Sequence, residues 1–146
     1  MILVTGCTGY IGFHICEILE SKRIPYFGID DFSRSHSKNI INKKRFLKTN
    51  INSKIISSLI SNKRIHTVIH AAAFSFPPES EKNQKIYFEN NIEKTKTFIN
   101  LCVKKKLKNL FSYQVLMYII LNSIMLRQYL KVKKISLQTI MVRRNL

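Results

Sequence analysis

A chain of 146 residues, 45% of them hydrophobic, is long enough for one buried core and short for a two-domain enzyme. Its 25 Lys and Arg against 8 Asp and Glu leave a formal charge of +17, which taken alone points to nucleic acid or an anionic membrane. The lysines are scattered among Ile, Asn and Ser, with no arginine–aromatic cluster or nucleic-acid motif beside them, so the charge reads as a solvated surface and neither partner is expected.

The chain opens with ILVTGCTGYIG over residues 2–12. The apolar, β-branched start predicts a buried parallel strand. Gly6, Gly9 and Gly12, spaced GxxGxxG, let the chain turn tightly and approach a ligand. Beyond them Ile11, Ile15, Ile18 and Leu19 fall on one face of a helix over Tyr10–Ser21. The glycines therefore stand at a strand-to-helix junction, where unpaired N–H groups and a partial positive charge suit a pyrophosphate. Cys7, inside the loop, reads as a small filler rather than a reactive thiol. Three cysteines without CxxC spacing argue against a disulfide framework and fit a reducing cytoplasm. Met1 leads directly into the first strand, so no signal peptide is expected.

A second strand from Tyr26 ends in Asp30-Asp31, about 20 residues past the glycines. A carboxylate there can accept hydrogen bonds from an adenosine ribose and would repel a 2′-phosphate, which favours NAD. FSRSHSKN follows as a surface loop, then a short third strand over residues 45–49, Asn50-Ile51, and a helix from about Ser53 carrying Ile55, Ile56, Leu59 and Ile60. Residues 64–70 end in TVIH, a fourth strand, and run into Ala71, Ala72 and Ala73, small enough for a cofactor lying across the sheet edge. His70 reads as a strand-end histidine satisfied by backbone. Pro77-Pro78 breaks the chain before a long helix over residues 83–105, with Tyr87, Asn91, Thr95, Phe98 and Cys102 at helical spacing. Asn90 and Asn91 sit early in that helix, where a buried amide needs a partner. A fifth strand begins over residues 107–111. The alternation gives an α/β doubly wound parallel sheet with right-handed crossovers.

VTGCTGYIG, IDDFS, TNIN, VIHAAA and YFENNIEKT, in that order over residues 1–109, resemble the extended short-chain dehydrogenases. Within that Rossmann-like family they are most similar to UDP-glucose 4-epimerase and its epimerase and dehydratase relatives. The resemblance implies a tightly held NAD, with Gly6, Gly9, Tyr10, Ile11 and Gly12 around the pyrophosphate and Asp30 on the adenosine ribose. Asp31 stands where these epimerases often have asparagine, and Asn50-Ile51 match an Asp-Ile pair beside the adenine. Ala71, Ala72 and Ala73 would line the cofactor, Asn90 matches the first asparagine of an Asn-Asn pair, and Ser75 stands where many 4-epimerases carry lysine. A UDP-sugar substrate and a homodimer go with the intact family.

The resemblance also implies a catalytic Tyr–Lys pair spaced YxxxK and an SSxxxVYG strand end. The SSxxxVYG motif is absent, Tyr113, Tyr118 and Tyr129 are read as having no lysine four residues on, and the catalytic pair is expected to be missing. From Leu110 onward there is no Gly, Pro, Ala, Asp or Glu. In a shifted reading frame Met117-Tyr118 permits Val-Tyr, and residues 140–145 permit YGxxK. The expectation is thus a dinucleotide-binding domain over residues 1–109 and an out-of-frame basic, apolar tail over residues 110–146, giving a truncated, inactive and marginally stable product. The alternatives are a dinucleotide-binding module completed by another chain, and a basic protein of nucleic acid or membrane surfaces that retains the fold.

Overall fold

Short β-branched and aromatic runs supply five strands: β1 (Ile2–Thr5), β2 (Tyr26–Asp30), β3 (Phe46–Lys48), β4 (Thr67–His70) and β5 (Asn109–Ser112). The computed structural model describes residues 1–112. All pairings are parallel and the strands lie in the order β3-β2-β1-β4-β5, with Thr5 between Ile29 and His70 in register. The doubly wound sheet expected from the alternation of elements is therefore present. Strand order reverses direction between β1 and β4, so the crevice beyond their carboxyl ends is where such sheets hold ligands.

Strand side chains alternate between two cores. Leu3, Phe27, Ile29 and Val68 face the layer that contains α2 (Ile55–Asn62) and α5 (Thr95–Lys104), packing on Ile56, Leu59, Ile60, Phe98 and Cys102. Val4 and Tyr26 point the other way, onto Cys16 and Leu19 of α1 (Tyr10–Ser21). Helix α1 has the expected bounds but not the expected stripe: Gly12, Cys16 and Leu19 are buried, whereas Ile18 is half exposed. Small residues at 12 and 16 let the helix lie close to the glycine turn, which rotates the isoleucines toward its flank. In α2 the exposed residue of the predicted set is Ile55.

The segment predicted as one long helix is built in pieces. Pro77 and Pro78 start a short α3 (Pro77–Lys82) instead of only breaking the chain, since proline is suited to the first helical turn. Then come α4 (Gln84–Phe88), a π-helical stretch over Glu89–Lys94, and α5. Strand β5 spans the expected 109/110 boundary. Tyr113, Tyr118, Tyr129 and the codons on which the out-of-frame reading rests lie outside the described residues.

Three helices end in the same way. After α1, α2 and α5 the chain reads Lys22-Arg23-Ile24, Lys63-Arg64-Ile65 and Lys105-Lys106-Leu107, with the middle residue left-handed at φ 55°, 50° and 53°. In each case the apolar residue donates its N–H five residues back, Ile24 to Leu19, Ile65 to Ile60 and Leu107 to Cys102, closing a Schellman cap. A side chain in that conformation is strained and glycine is not. Arg23→Gly, Arg64→Gly and Lys106→Gly should therefore each stabilise the fold by about 0.5–1 kcal/mol, measured as additive rises in the urea midpoint at constant m-value.

Candidate functional site

The glycine turn is shaped by backbone contacts. Gly6 has φ +68°, and a Cβ on it would lie 2.6 Å from the backbone of Ala72; one on Gly12 would lie 2.0 Å from the Gly6 carbonyl oxygen. These two glycines hold the turn against β4 and α1. Gly9 differs: a Cβ there would meet only the Gly6 oxygen at 3.4 Å, an ordinary contact. Gly9 is also the N-cap of α1, with no side-chain cap and no acidic residue in the first turn. The first N–H groups of α1 are thus left for an external acceptor.

Asp30 organises the other wall. Its Oδ1 accepts from the Phe32 N–H at 2.9 Å and the Ser35 hydroxyl at 3.0 Å, and its Oδ2 accepts from the Thr8 N–H at 3.1 Å. The Thr8 hydroxyl meets Ser35 Oγ at 2.6 Å, and Asn39 Nδ2 donates to the Thr8 carbonyl. The loop after β2 is therefore folded back on the glycine turn. Two bonds occupy Oδ1 and one occupies Oδ2, which leaves one lone pair on Oδ2 for a hydroxyl donor.

Between these walls lies a cleft that is open to solvent. Ten predicted residues line it: Gly6 and Gly9 from the turn, Asp30, Asp31, Asn50 and Ile51 beyond β2 and β3, Ala71, Ala72 and Ala73 beyond β4, and Asn90 from the π-helical stretch. Tyr10, Ile11 and Gly12 do not line it, and the Tyr10 side chain is 82% exposed. They form the first turn of α1, directly after Gly9. Asn50 Oδ1 caps the N–H of Asn52, and Ile51 doubles as a core residue.

Asn91 clamps the segment after β4, accepting from the Phe74 N–H at 2.9 Å and donating to the Phe74 carbonyl at 2.8 Å. Asn90 accepts from Lys94 Nζ at 3.2 Å. The wider π-helical turn lets neighbouring asparagines serve the cleft and the segment packed beside it. Lys94, Arg34, Ser35 and Phe74 also line the cleft, and no sequence motif marks them. The Arg34 guanidinium lies 4.4 Å over the Phe74 ring and donates to Glu79 Oε1 at 2.7 Å, tying the loop after β2 to α3 across the cleft. Arg34 and then Tyr87 hold the Glu79 carboxyl below its usual range. Pairs so distant in sequence leave no local signal.

His70 is fully buried, but side chains rather than backbone satisfy it: Nδ1 lies 2.5 Å from Thr5 Oγ1 and Nε2 lies 3.1 Å from Thr95 Oγ1. The adjoining backbone is already spent on the sheet, where the Ala71 N–H donates to the Thr5 carbonyl. With both ring nitrogens engaged, His70 ties β4 to β1 and α5. Among the described residues no group of three His, Cys, Asp or Glu could hold a metal ion.

Cys7 fits over Gly28, where a Cβ would lie 2.7 Å from its Sγ. A hydrogen bond with Cys16 and then burial push the Cys7 thiol far above its ordinary range, and burial pushes Cys102 up to about 12. Raised values keep these thiols protonated at neutral pH, and Cys16 is buried too. Cys7, Cys16 and Cys102 should therefore resist a disulfide-exchange reagent at pH 8 in the native protein and react at once in denaturant.

A parallel sheet with a glycine turn after β1, an acid after β2 and small residues after β4 is matched by sequence as well as by shape. Residues 2–115 match the NAD dependent epimerase/dehydratase family. The chain belongs to that family. It is 32% identical over 92 residues to UDP-glucose 4-epimerase of Lactobacillus helveticus and 34% over 91 residues to that of Lacticaseibacillus casei. Each match covers 62% of this chain and 28% of the relative, so this epimerase-family chain spans under a third of their length. Among solved structures, UDP-glucose-4-epimerase from Stenotrophomonas maltophila, with bound NAD and formylated UDP-arabinopyranose, superposes with a TM-score of 0.70 at 25% identity. That match covers 76% of this chain and 35% of the other.

One expectation about catalytic residues needs correction. Tyr129 and Lys133 do have the YxxxK spacing, so the sequence is not without such a pair. Lysine is so frequent here that spacing alone carries little weight, and both residues lie outside the described ones.

Proposed function

We propose that this chain binds NAD in the cleft beyond β1, β2 and β4, as the dinucleotide-binding part of a nucleotide-sugar epimerase of the UDP-glucose 4-epimerase type. The observation that carries this reading is the pairing of two features across one cleft. Gly9 offers open backbone at the uncapped start of α1, and Asp30 keeps an acceptor site on Oδ2. A pyrophosphate suits the first and a ribose hydroxyl the second. Ala71, Ala72 and Ala73 leave room beside them, and Asn90 and Lys94 flank the far wall.

When bound, NAD supplies hydride transfer to and from a sugar carbon. What this chain's described residues do is hold and orient: the α1 backbone takes the phosphates, Asp30 the adenosine ribose, and Asn91 keeps the segment after β4 in place. Residues 1–109 form this unit, and it works in the cytoplasm. Without an in-frame SSxxxVYG strand end and an established Tyr–Lys pair, the chain by itself turns over no UDP-sugar.

The test is titration of the full chain with NADH, followed by nicotinamide fluorescence, alongside an assay of UDP-glucose epimerisation. Saturable binding with no turnover is expected. Absence of binding by a folded chain would reject the cofactor site, and turnover by the chain alone would reject the inactive part of the reading.

A further inference from the structure

Basic residues that look scattered in the sequence are gathered by the topology. In an all-parallel sheet each helix that leads back into a strand ends, and the strand after it begins, at the same edge, opposite the cleft. The three caps therefore bring Lys22-Arg23, Lys63-Arg64 and Lys105-Lys106 to one end of the molecule. Direct contacts tie the second and third caps to each other and both the first and second to the start of β1: the Ile2 N–H donates to the Pro25 carbonyl, the Met1 amino group to the Arg64 carbonyl, the Lys108 N–H to the His66 carbonyl, and Lys105 Nζ to Ser61 Oγ. None of the eight acidic residues lies in the caps, and no ion pair among the described residues engages these six cations. Burial and then the charges of the N-terminus and Lys108 hold the His66 imidazole below its ordinary range, so the field at this end is felt within it.

Favourable placement at helix C-termini accounts for cations at Lys22, Lys63 and Lys105. It does not account for Arg23, Arg64 and Lys106, which sit in the strained left-handed position where glycine or asparagine is at ease. The same end exposes apolar side chains, Ile24 at 37% and Val103 at 62%, and the three cap segments carry no aromatic ring on which a base could stack. Cations interspersed with exposed aliphatic groups suit a lipid headgroup layer better than a nucleic acid. We propose that this end of the sheet is a docking surface for an anionic phospholipid bilayer, leaving the cleft at the opposite end open to solution.

The test uses the full chain and vesicles of phosphatidylcholine with or without phosphatidylserine, at low and physiological ionic strength, read by flotation. Salt-sensitive binding to the anionic vesicles alone is expected. The triple variant Arg23→Gly, Arg64→Gly, Lys106→Gly should lower the partition coefficient roughly 100-fold, about five-fold per cation, while melting no lower than the parent. Because its caps are relieved of strain, lost binding cannot be assigned to unfolding. An equal loss of charge elsewhere, Lys38→Gln, Lys82→Gln, Lys85→Gln, should leave binding nearly intact. Equal losses in both variants, equal binding to neutral vesicles, or binding to a DNA duplex but not to vesicles would overturn the proposal.

Discussion

Replacing Gly12 by alanine is expected to destabilise the fold by about 3 kcal/mol or more, while Gly9→Ala, three residues earlier, should change stability by less than about 1 kcal/mol. The added methyl at 12 would sit 2.0 Å from the Gly6 oxygen and 2.8 Å from the Cys7 Cα. Both neighbours are backbone, and a Cβ has no rotamer with which to escape. The turn cannot retreat either, because Gly6 already lies against Ala72, at a left-handed φ of +68°. Relief requires α1 to lift from β1, which uncovers Val4, Cys7 and Leu19. At Gly9 the same methyl meets an ordinary contact in extended backbone, φ −74° and ψ 167°. Urea unfolding of the two variants gives the comparison. Similar losses for both would mean that the turn is held by something other than these contacts.

The contrast shows which part of the glycine motif was legible. Spacing placed three glycines at a strand-to-helix turn, and the apolar strand runs and the helical pattern placed β1, α1 and β2 around it almost to the residue. Those patterns are local, as are the acid at the end of β2 and the alanines at the end of β4. What spacing could not separate was role. Gly6 and Gly12 are required by packing against Ala72 and the turn, and only Gly9 presents open backbone. The stripe on α1 was misjudged for a related reason. Hydrophobicity favoured Ile18, but close approach of the helix to the turn favours small residues, and Gly12 and Cys16 took the buried face. His70 and Arg34 depended on partners 65 and 45 residues away, Thr5 and Glu79, which no window of sequence contains. The basic end of the sheet is the extreme case. Its charges are dispersed along the chain and meet only because parallel topology sends the ends of α1, α2 and α5 the same way.

Asp30→Asn should separate the two tasks of that carboxylate. Three donors converge on it, from Thr8, Phe32 and Ser35, and an amide offers only one acceptor oxygen. With that oxygen in the Oδ1 position, the Phe32 and Ser35 bonds survive and the Thr8 N–H faces an amide NH₂. The expected cost in stability is about 1–3 kcal/mol. The Oδ2 position, the one with a free lone pair, also becomes a donor and can no longer accept from a ribose hydroxyl. A bond to a charged acceptor contributes about 1.5–3 kcal/mol, so the affinity for NADH should fall by about 10–100-fold. NADPH should lose less, because removing the negative charge also removes its repulsion of a 2′-phosphate, and the preference between the two nucleotides should narrow. Asp31→Asn is the control: among the described residues Asp31 accepts only from the Ser33 N–H, through one oxygen that an amide can supply. Parallel fluorescence titrations with NADH and NADPH decide the matter. If Asp30→Asn binds NADH as the parent does, the ribose is held elsewhere, and the carboxylate serves only to fold the loop after β2 onto the glycine turn.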